Sequence, residues 1–164
     1  MNLPLPEAGP RKEAIFALTP PSPMIAEIGA DHGITSAYLL RLGIAGRMIV
    51  SDISAASLLK ARRLFALHGL EESAAFCVAN GLDALTGPVG AAILAGMGAK
   101  TIAEILLRGR DAAPDAAFIL QPSTDPPYLR RFLMENGYRI EDERLAFENR
   151  RYYVAMRARR GRAL

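Results

Sequence analysis

Continuous apolar runs alternate along the chain with segments whose apolar residues recur every three or four positions. Such runs are typical of strands buried on both faces of a parallel sheet, and the wider spacing indicates helices packed against it. Strands are predicted at residues 24–28, 47–51, 74–78, 89–94 and 116–120, and helices at residues 34–42, 54–68, 100–107 and 126–136. Ser54 is the expected N-cap of the second helix, and Gly69 is its expected C-terminal stop. The alternation predicts an α/β fold with helices on both faces of the sheet.

The end of the pattern differs, because two strand-like runs follow each other without a helix between them. These runs, 138–147 and 151–157, are joined only by Glu148-Asn149-Arg150. A link that short makes an antiparallel hairpin, since a parallel return needs a long crossover. A seven-stranded, mostly parallel sheet that ends in an antiparallel hairpin is typical of the Rossmann-like class I methyltransferase fold. A Rossmann dehydrogenase ends with a parallel strand instead.

Size and composition fit one globular domain over residues 1–164. The hydrophobic fraction of 51% and the charged fraction of 23% exclude a disordered or fibrous chain. We divide the chain into an N-terminal helix and linker (1–23), the sheet with its helices, and a basic tail (157–164). No apolar run reaches the roughly 18 residues of a membrane span, and residues 1–10 do not resemble a secretory signal. The single cysteine, Cys77, is predicted to be a buried thiol, and these features together indicate a cytoplasmic protein.

Arginine is concentrated near the end of the chain, although the net charge is only +3. Clustered arginine favours a polyanionic partner. The candidate phosphate contacts are Arg130, Arg131, Arg150, Arg151, Arg157, Arg159 and Arg160. The alternative is a solvated tail without a binding role.

The loop after the first predicted strand carries the first candidate binding residues. It reads Glu27-Ile28-Gly29-Ala30-Asp31-His32-Gly33, and glycine is needed where backbone approaches a ligand closely. Ligands of doubly wound folds bind at this edge of the sheet, where the parallel strands end. Asp52 ends the second strand, 23 residues after Gly29, where a carboxylate can accept hydrogen bonds from both ribose hydroxyls of an adenosine.

The amino-acid sequence of this loop favours S-adenosylmethionine over a dinucleotide as the ligand. A dinucleotide fingerprint needs Gly-x-Gly-x-x-Gly, whereas here the middle glycine is missing and Asp31 would repel a pyrophosphate. S-adenosylmethionine is cationic and free of phosphate, so Asp31 or Glu27 suits its ammonium or sulfonium group. His32 is expected near the cofactor, and no metal site is expected, because no second His or Cys stands at ligand spacing. The alternative is a helix N-terminus with Asp31 as a cap and His32 as a packing residue.

The loop after the third predicted strand is expected to flank the adenine ring of such a ligand. Asn80 carries an amide, which supplies both a donor and an acceptor for the adenine edge. The alternative is that Asn80 and Gly81 form an ordinary turn.

Six motifs, taken in order, resemble one known family. They are Ala26-Glu27-Ile28-Gly29-Ala30-Asp31-His32-Gly33, Ser51-Asp52-Ile53, Asn80-Gly81-Leu82, Ala95-Gly96-Met97-Gly98, Leu120-Gln121-Pro122 and the segment from Leu129 to Tyr138. Over about residues 11–156 the chain resembles the bacterial tRNA adenine-22 N1-methyltransferases. The resemblance implies a class I fold, S-adenosylmethionine as cofactor, and N1-methylation of adenine 22 in tRNA. It also adds Ile53, Gly81 and Ala95 to the expected cofactor site.

The chain departs from that family at three points. The family usually has Gly-Asp-Gly-Leu where this chain has Ala79-Asn80-Gly81-Leu82. It usually has Gly-Met-Gly-Gly where this chain ends the motif at Ala99, whose methyl group is expected to narrow the pocket. Family members typically continue into a C-terminal helical domain thought to engage tRNA. No such domain follows residues 157–164 here, so we expect a truncated form or a minimal variant.

The turn after the fourth predicted strand is where this fold meets a target base. Adenine N1 lies on the Watson–Crick edge, so the base must be unpaired or flipped out of its helix. The expected base-positioning residues are Gly96, Met97, Gly98 and Gln121. Asp125 is a weaker candidate for the exocyclic amine, with helix N-cap as its alternative. Tyr128 is a weaker candidate for stacking, with packing as its alternative.

Two other functions remain open from the sequence. One is a small-molecule methyltransferase of the same fold. The other is a catalytically inactive RNA-binding module, which the departures at Asn80 and Ala99 and the missing helical domain would suit. A nicotinamide oxidoreductase is disfavoured by the loop spelling and the terminal hairpin. We expect a monomer or a weak homodimer whose partner is tRNA.

Overall fold

The computed structural model describes residues 3–161. Its helices are α1 (Gly9–Leu18), α2 (Ile34–Arg41), α3 (Ala55–His68), α4 (Ala99–Arg108) and α5 (Pro126–Glu135). Its strands are β1 (Ser22–Ile28), β2 (Ala45–Asp52), β3 (Ala74–Val78), β4 (Ala91–Gly98), β5 (Ala117–Thr124), β6 (Tyr138–Glu148) and β7 (Arg151–Arg160). Two short 3₁₀ helices, Glu71–Ser73 and Gly81–Ala84, flank β3.

The seven strands form one sheet in the order β3-β2-β1-β4-β5-β7-β6. Strands β1 to β5 are parallel, and β7 is antiparallel to both of its neighbours. The predicted mostly parallel sheet with a terminal hairpin is therefore confirmed. The strand order reverses between β1 and β4, so their carboxyl ends form the crevice where ligands of this fold class bind.

The core consists of two layers, one on each face of the sheet. Helices α1, α2 and α3 cover one face, where Ile93 of β4 shares a buried cluster with Phe65 of α3. Helices α4 and α5 cover the other face, where Leu94 of β4 shares a cluster with Ile102 and Leu133. Neighbouring residues of β4 serve opposite layers because successive side chains of a strand point to opposite faces.

The residues directly before α3 and α5 cap these helices with their side chains. The predicted ends of α3 are confirmed, because the Ser54 hydroxyl accepts the Ser57 N–H at 3.2 Å and Gly69 adopts φ +68° after the last residue. Asp125 caps α5 in the same way and accepts the Tyr128 N–H at 3.2 Å. The N-cap alternative considered for Asp125 is thus the one that the structure shows.

The glycine-rich segment after the fourth strand is not a turn, contrary to the sequence prediction. Strand β4 continues to Gly98, because β5 is longer than predicted and pairs with it throughout. The register shifts between Ala95 and Met97, and Gly96 adopts φ +73° there, which glycine tolerates without strain. Gln121 consequently lies within β5 rather than after it.

Strand β7 is longer than predicted and includes most of the residues interpreted as a basic tail. Arg157 and Arg159 lie in it and donate to the Glu141 carboxylate at 3.1 and 3.2 Å. Arg160 is the last residue of the strand and donates to a backbone carbonyl at 2.9 Å. The solvated tail is therefore wrong for these three arginines, since pairing with β6 orders them. Residues 162–164 of the predicted tail lie outside the described part of the chain.

Smaller differences concern the edges of the fold. Strand β1 begins at Ser22, so the sheet takes up the last two residues of the predicted segment 1–23; Met1 and Asn2 lie outside the described residues. Cys77 is only partly buried, contrary to the prediction, because β3 is an edge strand. No helix within residues 3–161 is both long and apolar enough to cross a bilayer.

Candidate active site

Two cavities open side by side at the carboxyl ends of the central strands. The α1 cavity, of about 510 Å³, is bordered by α1, and the α4 cavity, of about 420 Å³, is bordered by α4. Gly29, Asp52 and Met97 line both cavities and mark their junction. The other residues of the α1 cavity are Arg11, Lys12, Ile15, Glu27, Ala30, Asp31, His32, Ile34, Thr35, Ala95, Gly96 and Gln121. Those of the α4 cavity are Ile28, Ile53, Ala79, Asn80, Gly81, Leu82, Asp83, Thr101, Glu104, Ile105, Arg108 and Gly109.

Asp52 joins the loops that follow β1 and β2. One of its carboxylate oxygens accepts the Asp31 N–H at 3.0 Å, and the other accepts the Ser54 N–H at 2.8 Å. Each oxygen keeps acceptor capacity for a further donor. The carboxylate is thus fixed at the junction of the cavities, where a hydroxyl-bearing ligand can reach it.

Two glycines of the loop after β1 have different structural roles. Gly29 adopts φ +70°, which glycine tolerates without strain, and a Cβ atom there would lie 2.6 Å from Met97 Cε at the junction. Gly33 lines neither cavity, although the sequence placed it in the cofactor site. A Cβ atom there would lie 2.8 Å from the Ala61 side chain, and Gly33 adopts φ +75°. Gly33 therefore allows the loop to pack against α3.

Glu27 is the buried acid of the α1 cavity. Its side chain accepts the backbone N–H of Ser36 at 3.0 Å and also accepts the Ser36 hydroxyl. Ser36 lies in the first turn of α2, so Glu27 supplies the cap that Gly33 cannot. Burial raises the pKa of Glu27 to about 7, although both Ser36 hydrogen bonds and the charge of Lys12 act to lower it. The carboxyl group thus changes charge near neutral pH.

Charges of both signs line the α1 cavity. Helix α1 contributes Arg11 and Lys12, and the loop after β1 contributes Asp31 and His32, which lie 3.5 Å apart. The Arg11 guanidinium is held 3.8 Å from the Glu148 carboxylate of the hairpin. This arrangement suits a ligand that carries a positive and a negative group. Within residues 3–161, no group of three metal-ligating side chains is assembled.

The α4 cavity brings together the residues predicted to surround an adenine. Ile53 and Asn80 are exposed at its edge, and Gly81 adopts φ +56°. The Asn80 carbonyl accepts the Asp83 N–H at 3.2 Å, so the turn considered as an alternative is also present. Asp83 forms an ion pair of 2.5 Å with Arg108 of α4.

Three of the four predicted base-positioning residues line the α1 cavity: Gly96, Met97 and Gln121. Gly98 does not, because it is the N-cap of α4. Gln121 is 1% exposed, and its Nε2 donates to the Pro122 carbonyl at 2.9 Å. Its Oε1 has no hydrogen-bond partner in the described part of the chain. Leaving a buried acceptor unpaired costs about 1–3 kcal/mol, so this oxygen is available to a donor from a ligand.

Two further expectations about this region change. Ala99 is 1% exposed and belongs to the core beneath α4, so its methyl group narrows neither cavity. The prediction of a narrowed pocket is wrong, because the first residue of α4 faces the sheet. Tyr128 packs against the same core, with Lys100 Nζ 6.0 Å from its ring centroid, which agrees with the packing alternative.

The arginines predicted to contact phosphate fall into two groups. Arg131, Arg150 and Arg151 are exposed, and no carboxylate of residues 3–161 pairs with them. Arg130 donates to Glu143 at 2.8 Å. It therefore resembles Arg157, Arg159 and Arg160 of β7, which bind groups of the protein itself.

The sequence prediction missed the contributions of α1 and α4 to the cavities. Arg11 and Lys12 carry no local signal, because their role depends on where α1 packs. Helix α4 does carry a local signal. Spacings of three and four residues place positions 101, 104, 105 and 108 on one face of this helix.

Comparison with known proteins gives the family. The family described as a methyltransferase domain matches residues 8–156, which include every residue that lines the two cavities. The chain belongs to the methyltransferase-domain family. The class I methyltransferase fold expected from the terminal hairpin agrees with this membership.

This methyltransferase chain is similar to tRNA methyltransferases. It is 28% identical over 153 residues to the Bacillus subtilis tRNA (adenine(22)-N(1))-methyltransferase, covering 92% of this chain and 64% of that protein. The solved structure of the B. subtilis tRNA methyltransferase TrmK matches with a TM-score of 0.88 at 26% identity, covering 97% of this chain and 68% of that one. A Streptococcus pneumoniae structure in complex with S-adenosyl-L-methionine matches with a TM-score of 0.88 at 26% identity, covering 94% and 73%. The resemblance predicted from the sequence is confirmed, and the methyltransferase chain spans less than two thirds of the B. subtilis relative's length.

Proposed function

We propose that this methyltransferase transfers a methyl group from S-adenosylmethionine to N1 of adenine 22 in tRNA. The observation that carries the proposal is the pair of cavities that meet at Gly29, Asp52 and Met97 over the carboxyl ends of the strands. One cavity suits a nucleoside, and the other combines opposite charges with open backbone. The similarity to a B. subtilis protein named for this reaction supports the choice of substrate.

The α4 cavity fits the adenosine part of S-adenosylmethionine. Ile53 and Ile105 offer apolar surface to the adenine ring, and the Asn80 amide offers a donor and an acceptor to its edge. The departure from the family at Asn80 therefore keeps a hydrogen-bonding group at this position. Asp52 retains acceptor capacity for the ribose hydroxyls.

The α1 cavity fits the amino-acid part of the same cofactor. Arg11 and Lys12 would hold the carboxylate, while Asp31 and the ionised form of Glu27 would attract the ammonium group. His32 lies beside Asp31 and can orient it. These residues recognise charge of both signs, which a dinucleotide with its pyrophosphate would not satisfy.

The chain's own residues have the task of placing the target base. When bound, S-adenosylmethionine supplies a methyl group on a positively charged sulfur, so alignment of the acceptor provides most of the catalysis. Adenine N1 has a free lone pair, and a general base is not required. Gly96 leaves open space, because a Cβ atom there would have no neighbour within 4 Å. The Gln121 Oε1 is an acceptor suited to the exocyclic amine of adenine.

A tRNA substrate has consequences for the conformation of the target base, for phosphate binding and for cellular location. N1 of a paired adenine is inaccessible, so the base must leave its helix before it enters the α1 cavity. We infer that the exposed Arg131, Arg150 and Arg151 contact tRNA phosphates, which gives affinity without sequence choice. A tRNA substrate implies action in the cytoplasm. The expectation of a monomer or weak homodimer stays a prediction.

A labelling experiment tests the function. The protein is incubated with tritium-labelled S-adenosylmethionine and unmodified tRNA, and the labelled nucleoside is identified after digestion. The matched control is the same tRNA with guanine at position 22. Label in 1-methyladenosine that vanishes in the control supports the proposal. Absence of label despite calorimetric binding of S-adenosylhomocysteine would contradict the tRNA substrate, and absence of that binding would contradict methyltransferase chemistry.

A further inference from the structure

The hairpin between β6 and β7 ends in a tight two-residue turn. Asn149 and Arg150 form the turn with φ +50° and +62°, as a type I′ hairpin requires. Directly below it Glu148 pairs with Arg151, and Phe147 pairs with Tyr152. We call the residues from Phe147 to Tyr152 the hairpin tip.

An aromatic pair lies exposed on one face of the hairpin tip. The ring centroids of Phe147 and Tyr152 are 4.8 Å apart, and the two residues are 54% and 71% exposed. Leu145, the next residue on the same face, is 67% exposed. Burying apolar surface is favourable, so two neighbouring aromatic rings left in water indicate a surface that a partner covers.

The hairpin tip stands at the same edge of the sheet as the α1 cavity. Strand β7 is antiparallel to β5, and Leu120 of β5 pairs with Met156 of β7. Tyr152 lies four residues before Met156, toward the edge where β4 and β5 end. Glu148 of the tip accepts the Arg11 N–H at 3.3 Å, so the tip also contacts the helix that borders the cavity.

The charge around the aromatic pair selects among possible partners. Arg150 lies in the adjoining turn, whereas Arg151 points to the opposite face of the hairpin, where its guanidinium lies 5.4 Å from the Tyr153 ring centroid. No carboxylate of the described chain pairs with either arginine. A polyanion with flat apolar groups complements this surface. A second copy of the chain docked on the same face would bring the two Arg150 side chains close together and repel.

We propose that the hairpin tip is a base-stacking platform for the RNA substrate, on which an unpaired nucleobase near the target adenine stacks against Phe147 and Tyr152. This inference rests on the proposed function and adds a binding surface to it. Arg150, in the turn, holds an adjoining phosphate, and Arg151 contacts the RNA backbone from the other face of the hairpin tip. These separate roles follow from the chemistry of the side chains, because aromatic rings stack on the faces of bases and guanidinium groups bind phosphates.

Equilibrium binding of unmodified tRNA at several salt concentrations tests the two contributions separately. The double variant Phe147→Ala/Tyr152→Ala is expected to bind roughly 5- to 150-fold more weakly with an unchanged salt dependence. The double variant Arg150→Ala/Arg151→Ala is expected to make the slope of log affinity against log salt shallower by about 1.4 to 1.8. Leu67→Ala, at an exposed position on α3, is the matched control and should bind as the wild type does.

A single tryptophan supplies a direct readout of stacking. The chain contains no Trp, so Tyr152→Trp introduces one fluorophore while keeping a large aromatic ring. Its fluorescence should be quenched when tRNA binds, and its affinity should equal or exceed that of the wild type. Unquenched fluorescence in the bound complex would overturn the proposal.

The remaining outcomes separate this proposal from the function on which it rests. Wild-type affinity of Phe147→Ala/Tyr152→Ala in a protein that methylates tRNA would overturn the platform alone. A change of that variant's sedimentation to a smaller species, with tRNA affinity unchanged, would assign the aromatic pair to a second copy instead. If the wild type neither binds nor methylates tRNA, the proposed function itself is wrong.

Discussion

At the scale of single residues, the two cavities depend on side chains with unusual surroundings. Glu27 is buried but retains only Ser36 as a hydrogen-bond donor, and Gln121 has a buried oxygen without a donor. Both groups lower the stability of the fold as it stands. Buried polar groups that lack hydrogen-bond partners concentrate at functional sites, where a ligand supplies the missing partner.

Replacement of Glu27 by Gln should change how stability depends on pH. Burial raises the pKa of Glu27 from 4.5 to about 7, so the folded state holds this proton more tightly than the unfolded state. Its contribution is most favourable below pH 4.5 and is lost as pH rises through 7. We expect Glu27→Gln to be up to about 3 kcal/mol more stable than the wild type at pH 8, with little difference at pH 4.5. Urea unfolding across this range measures it.

The control for this titration is Glu13→Gln, an exposed acid on α1. It should leave the pH profile of the free energy of unfolding unchanged. A Glu27→Gln profile parallel to that of the wild type would show that Glu27 does not titrate in this window.

Replacement of Gln121 by Leu should lower methylation of adenine through the loss of one acceptor. We expect kcat/KM for tRNA to fall by roughly 5- to 150-fold, since a hydrogen bond to a buried group is lost, while affinity for S-adenosylhomocysteine is retained. A tRNA with purine at position 22 lacks the exocyclic amine but keeps N1. On that substrate the wild type and Gln121→Leu should be equally slow. A further loss on the purine substrate would show that Gln121 acts through the fold.

At the scale of elements, a bulge in β6 organises the hairpin. The pairing with β7 shifts between Ile140 and Asp142, which leaves Glu141 unpaired in the ladder. Its carboxylate accepts hydrogen bonds from Arg139, Arg157 and Arg159. Partial burial alone would raise the pKa of Glu141, but the three arginines outweigh it and lower the pKa.

Replacement of Glu141 by Gln should therefore weaken the hairpin modestly. The side chains of the four residues are 21% to 41% exposed and lie within reach of solvent. We therefore expect a loss of up to about 1 kcal/mol in the free energy of unfolding, and less at high salt. The stabilisation is present above pH 4.5 and is lost as pH falls through the lowered pKa. Urea unfolding at low and high salt measures it against Glu71→Gln, an exposed acid. An equal loss at both salt concentrations would count against an ionic origin.

An element could be predicted where its own residues determine it, and could not where its structure depends on residues distant in the sequence. The buried strands and the hairpin were predictable, because an all-apolar run and a short link are local signals. The extension of β4 through Gly96 was not, because a run of small residues reads as a turn until β5 is known to pair with it. The extension of β7 through Arg157 and Arg159 could not be predicted for a similar reason. The acceptor for Arg157 and Arg159 lies on another strand, 16 and 18 residues away.

At the scale of the whole molecule, the proposed ligand would contact elements from both layers and from three loops at once. The cavities include residues of α1, α4 and the loops after β1, β2 and β3. Asp52 lies at their junction, where its hydrogen bonds already join two of these loops. Binding at this point should stabilise the domain as a unit.

Binding of S-adenosylhomocysteine should raise the melting temperature. At a ligand concentration 100 times Kd the gain is about 2.7 kcal/mol, which corresponds to roughly 5–10 °C for a domain of this size. We expect Asp52→Asn to lose most of the shift, because an amide has one acceptor oxygen where the carboxylate has two. Asp115→Asn, at an exposed position, is the matched control. A full shift in Asp52→Asn would place the ligand elsewhere.

The contact between α1 and the hairpin tip has a consequence for the order of assembly. Arg11 and Glu148, which form it, are 137 residues apart. During synthesis at roughly 5–20 residues per second, α1 emerges about 7 to 27 seconds before the strand that carries its acceptor. The pocket wall that α1 provides therefore lacks this contact until the hairpin has left the ribosome. A nascent chain thus completes the site of the proposed ligand only when nearly all of the described fold has been made.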